Sequence, residues 1–245
     1  MTVGKNKTRK WKTKKGGSRN RPFDKKDWFG IKAPEVLGGA IFGSTPANRG
    51  HETVKQLKGR VIEVNLNDLM SQYQSYKKFK LIINGINGKT CLTSFYGMEL
   101  TRDKLNSLTV RGQSFIEANL SVKTIDDISI RIFVCTSPRN VVVGRKGKHA
   151  QTSQIKLMRN KILEIIKDHV TSSTLDELVR DLMLDTIIKQ IEKSSERILP
   201  LYHTHIRKVK LIKGLTVTAN FQRQINHFSN IEDIGEPIQF NEGLN

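Results

Sequence analysis

The stretch KLIINGINGKTCL, residues 80–92, contains the turn that indicates the fold. An apolar run leads into Asn87-Gly88, and the segment KTCLTSFY, rich in threonine and aromatic residues, follows it. Asn-Gly between two such runs is the strongest short signal for a β-hairpin, because a type I′ turn requires positive φ at both central residues. The sequence therefore predicts two antiparallel strands joined at Asn87-Gly88.

The same stretch invites comparison with a nucleotide-phosphate loop, since Gly88-Lys89-Thr90 matches the end of that motif. The motif also requires a glycine five positions before Gly88, where this chain has Ile83. A phosphate loop must open a helix whose N-terminus faces the anion, whereas the residues after Thr90 favour a strand. The hairpin is the better interpretation.

Positive charge is the dominant feature of the composition. The 245 residues include 42 Lys and Arg against 23 Asp and Glu, which gives a net charge of +19 and an isoelectric point near 10.0. Such an imbalance indicates a polyanionic partner, and nucleic acid is the common one. The sequence has no apolar run long enough to span a membrane and no secretory leader, so we expect a cytosolic protein with no membrane partner.

The first 22 residues form a basic arm without acidic residues or apolar periodicity, which predicts disorder in the absence of a partner. Its predicted RNA contacts are Lys5, Lys7, Arg9, Lys10, Trp11, Lys12, Lys14, Lys15, Arg19 and Arg21. The indole of Trp11 can stack on a base while its basic neighbours neutralise phosphates. The alternative is that Trp11 docks on the protein's own surface.

Strands dominate the first part of the body and helices the second. ISIRIFVCTS, residues 128–137, alternates strictly and follows Asp126-Asp127, which predicts a second hairpin with 114–124. Residues 38–50 are rich in glycine and predict a loop. Helical periodicity begins at Ser153, and Thr174 and Glu177 have capping-box spacing at a further helix. A last strand is predicted at 203–214, at a sheet edge.

This order predicts an α+β fold with a strongly curved, largely antiparallel, barrel-like sheet and flanking helices. We expect three parts: the basic arm at 1–22, the body at 23–225 and a loose acidic tail at 226–245. The body is expected to contribute further RNA contacts at Lys25, Lys26, Trp28, Arg145, Lys146, Lys148, Arg207, Lys208 and Lys210.

Residues that could support catalysis or hold a metal are few. His203 and His205 could supply two metal ligands from one face of a strand, but the sequence shows no third ligand nearby. Cys91 and Cys135 lie in predicted strands and are expected to be buried thiols in a reducing compartment. We expect no catalytic residue, no cofactor and no metal, and the chain is not predicted to be an enzyme.

Seven segments carry a resemblance to a known family. They are PFDKKDWFGIKAP (22–34), KGRVIEVNLNDL (58–69), YKKFKLI (76–82), GKTCLTSFYGMELTRDK (88–104), FIEANLSVKT (115–124), QIEKSSERILPL (190–201) and IRKVKLIKG (206–214). In this order they resemble the small-subunit ribosomal protein S-one family of eukaryotes and archaea, formerly called S-three-A-e. The similarity runs from about residue 22 to residue 214, after a basic leader.

The resemblance implies a structural constituent of the small ribosomal subunit that supports translation. It implies a place on the platform near the messenger exit, beside the 3′ end of the small-subunit rRNA. Neighbouring ribosomal proteins are implied as partners, with messenger RNA and initiation factors close by. The protein would work in cytoplasmic ribosomes, and would pass through the nucleus and nucleolus if the source is eukaryotic.

Other functions remain open at this stage. The chain could be a free RNA-binding chaperone or an rRNA-processing factor, which would sediment apart from ribosomes. It could be a scaffold that binds proteins through the Trp28 region. A nucleoside-triphosphatase would need nucleotide binding that depends on Lys89.

Overall fold

The predicted hairpin lies at the centre of the structure. It is formed by β4 (Lys77–Asn87) and β5 (Thr90–Leu100), which pair antiparallel. The computed structural model describes residues 23, 25–50, 52–70, 75–139 and 150–213. The acidic tail predicted at 226–245 lies outside the described residues.

The turn of this hairpin differs from the prediction by one position. Asn87 pairs with Thr90, so the two loop residues are Gly88 and Lys89 rather than Asn87 and Gly88. Gly88 has a φ of 57°, while Asn87 and Lys89 do not have positive φ. Positive φ at the first loop residue alone is typical of a type II′ turn, where glycine is favoured at that position. Because β5 continues directly from Thr90, the turn does not open a helix as a phosphate loop would.

The sheet is built around β5. Its other strands are β1 (Lys26–Lys32), β2 (Ile41–Asn48), β3 (Val61–Asn65), β6 (Ile116–Lys123), β7 (Ser129–Pro138) and β8 (Leu201–Lys213). β4 covers one edge of β5, and β1 and β8 share its other edge. The β1–β5 pair is parallel and the remaining pairs are antiparallel.

The described strands form an open sheet. β2 lies outside β1, β3 lies outside β4, and β7 and then β6 follow β8. Each of β2, β3 and β6 pairs with only one of the described strands, so the sheet does not close into a barrel. The α+β class, the largely antiparallel sheet and the second hairpin are confirmed.

The helices follow the predicted order. They are α1 (Thr53–Leu57), α2 (Leu66–Leu69), α3 (Arg102–Leu108), α4 (Thr152–Thr171), α5 (Leu175–Leu184) and α6 (Thr186–Ser195), with a 3-10 turn at Glu35–Leu37. The predicted capping box at Thr174 and Glu177 starts α5. Among the described helices, none has both the length and the apolar composition needed to cross a membrane.

The prediction of a loop at 38–50 is wrong, because most of this segment is β2. β2 pairs antiparallel with β1 along its length. Gly38 and Gly39, with φ of 92° and 62°, make the turn that precedes it. Pro46 is tolerated because β2 is an edge strand, and an edge strand can lose one backbone donor without breaking a ladder on both sides. Glycine and proline content therefore concealed an edge strand.

The prediction that the last strand lies at a sheet edge is also wrong. β8 is an interior strand, paired with β5 through Lys208–Lys210 and with β7 along most of its length. Its register with β7 shifts at Arg207, so that Ile206 and Val209 both face the core although they are three positions apart. This bulge explains why residues 203–214 lack a regular alternation of apolar and charged residues.

The main core lies between the sheet and the helices α4, α5 and α6. It contains Phe79, Ile132 and Val209 from the strands with Ile162 and Ile191 from the helices, all at most 2% exposed. Burial of these faces is the main favourable contribution to folding. The predicted burial of Cys91 and Cys135 is confirmed, and both thiols are free.

A buried lysine connects the sheet to the end of α5. Lys77 is 2% exposed, and its Nζ donates to the carbonyl oxygen of Leu182 at 2.9 Å and lies 2.7 Å from Asp185 Oδ1. A helix C-terminus leaves carbonyl groups without partners and favours a positive charge. Asp185, with a φ of 58°, ends α5 and precedes α6. Lys77 thus positions the junction of the two helices against β4.

Gly97 determines how closely β8 can approach β5. A Cβ at this position would lie 2.7 Å from the carbonyl oxygen of Val209, a contact that backbone atoms cannot relieve easily. We expect Gly97→Ala to lower the free energy of unfolding by about 1–3 kcal/mol, as overpacking does elsewhere. Denaturant titration of the full chain measures this.

Gly43→Ala is the matched control, because Gly43 is also a strand glycine and its nearest contact would be Ile31 Cδ1 at 4.0 Å. Equal stabilities of the two variants would contradict the close approach of β8 to β5.

Candidate nucleic-acid interface

The sheet has one face covered by helices and one open face. Residues that alternate with the core residues, such as Arg131 between Ile130 and Ile132, project from the open face. α3 covers one end of this face, where Leu108 packs near Cys135. The rest of the open face carries the charged residues described below.

A row of basic residues crosses the open face at right angles to the strands. Lys80 pairs with Gly97, Gly97 with Lys210, and Lys210 with Arg131, so these residues stand side by side on four neighbouring strands. We call Lys80, Lys210 and Arg131 the basic row. Neighbouring strands are about 4.8 Å apart, so the row extends over roughly 14 Å. Lys210 and Arg131 are exposed, and Lys80 is half-buried.

Two glutamates form ion pairs with Lys80, at one end of the basic row. Lys80 Nζ lies 2.9 Å from Glu63 Oε1 and 2.9 Å from Glu99 Oε2, and Glu99 also pairs with Lys208 at 3.2 Å. The hydrogen bond from Lys80 lowers the pKa of both Glu63 and Glu99 below the usual value near 4.5, although burial opposes this. The same hydrogen bonds raise the pKa of Lys80.

The lowered pKa values of Glu63 and Glu99 predict how acidification affects the protein. A carboxylate whose pKa is lowered on folding stabilises the fold at neutral pH, and that contribution is lost as the pH falls through the lowered value. The same protonation removes negative charge from the open face. Acidification below pH 4.5 therefore weakens the ion pairs of Glu63 and Glu99 and makes the open face more positive.

The other end of the open face is more strongly positive. Arg131 Nε donates to Ser121 Oγ at 2.7 Å, and this bond orients the guanidinium group without neutralising it. Lys123 and Lys213 flank Ser129 on the neighbouring strands and are exposed. Among the described residues, Lys210, Lys123 and Lys213 have no ion-pair partner. No carboxylate in the described part of the chain therefore competes with an external anion for these three cations.

Arg207, Lys208 and Lys210, predicted as contacts from one strand, lie together on the open face. They differ in their surroundings. Arg207 pairs with Glu117 at 2.7 Å and Lys208 with Glu99, while Lys210 stands between Lys80 and Arg131. An external phosphate competes with a carboxylate at the first two residues and not at Lys210.

Lys25, Lys26 and Trp28 lie apart from the basic row. Lys26 and Trp28 are on the part of β1 that pairs with β2 and extends beyond β5. Trp28 is 51% exposed, its ring is 6.3 Å from that of Phe23, and Lys26 Nζ lies over the Phe23 ring at 5.3 Å. These residues form a separate aromatic and basic patch.

The remaining predicted contacts lie outside the described residues. They are the arm residues Lys5, Lys7, Arg9, Lys10, Trp11, Lys12, Lys14, Lys15, Arg19 and Arg21, and the loop residues Arg145, Lys146 and Lys148.

Sequence reasoning missed Lys80, Arg131, Lys123 and Lys213. A signal was present, because Arg131 interrupts the apolar series Ile130, Ile132 and Val134 at an outward position of a strictly alternating strand. Alternation assigns a residue to a face, but it does not show which strands are neighbours. The row depends on pairing between segments far apart in the chain, so only the tertiary structure brings it together.

The open face carries ammonium and guanidinium groups, which bind phosphate oxygens as point charges and as planar donors respectively. The described residues include no group of three or more His, Cys, Asp or Glu that could hold a metal ion. Burial raises the pKa of the Cys135 thiol to about 11, which keeps it protonated and poorly nucleophilic at neutral pH. The arrangement is suited to binding an extended polyanion.

A comparison with protein families agrees with this chemistry. Residues 13–214, which include every described strand and helix, match the family described as the ribosomal S3Ae family. The match begins inside the basic arm and ends after β8.

The charge balance of the open face can be tested at Glu99. Glu99→Gln removes one negative charge beside Lys80 and Lys208 while keeping the shape of the side chain. We expect affinity for an RNA hairpin to rise by about threefold at low salt, because one unit of repulsion is removed near the bound phosphates. Fluorescence anisotropy measures the affinity.

Glu164→Gln is the matched control, since it makes the same charge change on α4, where Glu164 pairs with Lys161 at 2.8 Å. An equal gain from both variants would mean that net charge, and not the open face, determines RNA affinity.

Proposed function

The chain belongs to the ribosomal S3Ae family, and from this membership we propose that its open face binds rRNA as an architectural contact. A member of this family is a protein of the small ribosomal subunit and works in cytoplasmic ribosomes. The observation that carries the proposal is the basic row, in which Lys210 stands between Lys80 and Arg131 on neighbouring strands. The row is extended across four strands, which suits a backbone of repeated phosphates.

Binding through the row should depend on the shape of the RNA more than on its sequence. RNA helices display phosphates and 2′-hydroxyl groups, and their deep major groove hides most base edges. Lysine amines at Lys80 and Lys210 neutralise phosphates without selecting a base. The Arg131 guanidinium, oriented by Ser121, can make paired hydrogen bonds to one phosphate.

The basic arm provides the second part of the proposed contact. Nine Lys and Arg residues lie within residues 1–22 with no acidic residue among them, and Trp11 lies inside the run. Repulsion among these charges favours binding to a polyanion that neutralises them. We assign the arm to rRNA grooves and the open face to a second rRNA surface, with Arg145, Lys146 and Lys148 and the Trp28 patch as further contacts.

The family resemblance supports a more specific location. It favours the platform near the messenger exit, beside the 3′ end of the small-subunit rRNA and next to other ribosomal proteins. Messenger RNA and initiation factors are the further partners that such a place allows. We also propose that the protein is not an enzyme, and that it passes through the nucleolus if the source is eukaryotic.

Lys210→Gln tests the open face. This change removes the cation at the centre of the basic row, and one lost phosphate contact should reduce the log–log salt slope of RNA binding by about 1. Binding should weaken to a similar degree for hairpins of different sequence. The measurement is anisotropy with an RNA hairpin over a range of potassium chloride concentrations.

Lys189→Gln, at an exposed position of α6 in the helical layer, is the matched control and should leave the slope unchanged. An unchanged slope for Lys210→Gln would refute RNA binding by the open face.

Deletion of residues 2–21 tests the arm. If the nine arm charges all meet phosphates, the arm contributes a salt slope approaching roughly −6, at about −0.7 for each contact. The truncated protein should therefore leave small subunits at lower salt than the full chain, with the stability of its folded body unchanged. Sucrose-gradient sedimentation of tagged proteins measures the loss.

Retention of the truncated protein at the same salt concentration as the full chain would contradict the role of the arm. A full chain that never co-sediments with small subunits would instead favour a free RNA chaperone or an rRNA-processing factor.

A further inference from the structure

A bulge at the start of β8 brings two consecutive aromatic side chains together. Consecutive residues of a regular strand project from opposite faces of the sheet. Here the ring centroids of Tyr202 and His203 are only 3.7 Å apart. The cause is a register shift against β7: His205 pairs with Cys135, but Tyr202 pairs with Ser137, so β8 contains one extra residue between these pairs.

The bulge places His203 in a conformation that side chains disfavour. Its φ is 57°, in the left-handed region, where a Cβ approaches the following carbonyl group. Glycine is the usual residue at bulges that need this conformation. A histidine kept at such a position is strained, and strain of this kind is common at sites where a side chain must be presented to a ligand.

The pair is the outer end of a ladder of rings. His203 stacks on His205 with centroids 6.4 Å apart and planes 24° apart, and His205 meets the edge of Tyr76 at 5.6 Å. Lys104 Nζ lies over the Tyr76 ring at 4.6 Å. Tyr202 is 50% exposed, so the ladder ends at an aromatic surface open to solvent.

The surroundings of the ladder are positive. Burial first, and then the charges of Lys104, His203 and Lys77, lower the pKa of His205 to about 4, so this ring is uncharged at neutral pH. Arg139 is exposed, and its backbone N–H donates to the carbonyl oxygen of Pro200 at 2.8 Å, which places this residue near the start of β8. Phosphate groups are favoured in such a field.

We propose that Tyr202 and His203 form a stacking site for an unpaired base of single-stranded RNA, with Arg139 and Lys104 beside the flanking phosphates. The exposed Tyr202 ring, tilted 52° to the His203 ring, can stack on one planar base, and cations lie toward the two ends of the ladder, with Arg139 near its outer end and Lys104 over Tyr76. Inside a duplex the faces of the bases are already stacked on one another, so paired bases within a double helix cannot use this site. The inference rests on RNA binding as the proposed function, and it adds a site for unpaired RNA that is separate from the basic row.

The side chains also distinguish RNA from a protein partner. Protein hot spots are apolar anchors enclosed in dry pockets, with charges depleted at their centre. The Tyr202–His203 pair is instead exposed and has polar ring edges, and cations lie toward both ends of the ring ladder. Its charge and shape therefore favour a nucleotide.

The test compares full-length wild type, Tyr202→Ser and His203→Gly with three labelled probes. The probes are oligoadenylate of about twelve nucleotides, the abasic ribose-phosphate oligomer of the same length, and an RNA hairpin with a minimal loop. We expect each variant to bind oligoadenylate roughly 5- to 150-fold more weakly, the range for loss of one stacked base. Binding of the abasic oligomer and of the hairpin should not change, and neither should the salt slope.

Stability provides an independent readout. Glycine adopts positive φ without strain, so the midpoint of thermal unfolding of His203→Gly should stay the same or rise while oligoadenylate binding falls. Loss of binding together with loss of stability in both variants would show that the rings are structural, and would overturn the site.

Two further results would overturn the inference. One is wild-type affinity of both variants for oligoadenylate, which would leave a protein contact as the role of the exposed rings. The other is an equal loss of binding to the abasic oligomer, which would mean that the bases are not contacted. Lys210→Gln, measured with the hairpin in the same experiment, tests the proposed function separately, so that either proposal can fail alone.

Discussion

The close contact between β5 and β8 is the constraint on which the structure depends. At Gly97 the absence of a side chain allows the backbone of β8 to approach, and a Cβ there would come within 2.7 Å of the Val209 carbonyl oxygen. β8 is the strand that joins β5 to β7 and β6, so this contact unites the two parts of the sheet. It also places Lys210 between Lys80 and Arg131. One glycine thus affects both the integrity of the sheet and the composition of its open face.

The two faces of the sheet have different physical roles. The covered face buries apolar side chains against α4, α5 and α6, and its most unusual member is Lys77, whose charge is matched by Asp185 and by carbonyl groups at the end of α5. The open face keeps its charges in water, where Glu63 and Glu99 hold neighbouring lysines in place. Ion pairs on a wet surface add little stability. Their clearer effect here is to make one end of the open face less positive than the other.

Repulsion within the basic row has a consequence for binding. Cations on neighbouring strands repel each other in the unbound protein, and a bound polyanion removes that repulsion. At one end of the open face, the carboxylates of Glu63 and Glu99 reduce this repulsion, but they also compete with a bound phosphate for the neighbouring lysines. The end formed by Lys210, Arg131, Lys123 and Lys213 has no such competitor among the described residues, and it is where phosphate should bind most strongly.

The sequence by itself determined the features that depend on local patterns. Alternation predicted the hairpin of β6 and β7, three- and four-residue spacing predicted α4, and the capping box predicted the start of α5, because each signal lies within a few residues of its element. Composition indicated a polyanionic partner, and the order of the seven segments indicated the family. Within the candidate site, the sequence predicted Arg207, Lys208 and Lys210 as contacts but not the residues that lie beside them on neighbouring strands.

Only the tertiary structure decided which elements lie side by side. β2 is a strand because β1 pairs with it, although its own residues resemble a loop, and β8 is interior because β5 and β7 both accept it. The basic row, the burial of Lys77 and the Tyr202–His203 pair all depend on contacts between distant segments or on a one-residue change of register. The choice of neighbouring strand leaves no periodic pattern in a single sequence. The backbone edge of a strand can pair with several other strands, and the pairing that forms is the one that buries the apolar faces.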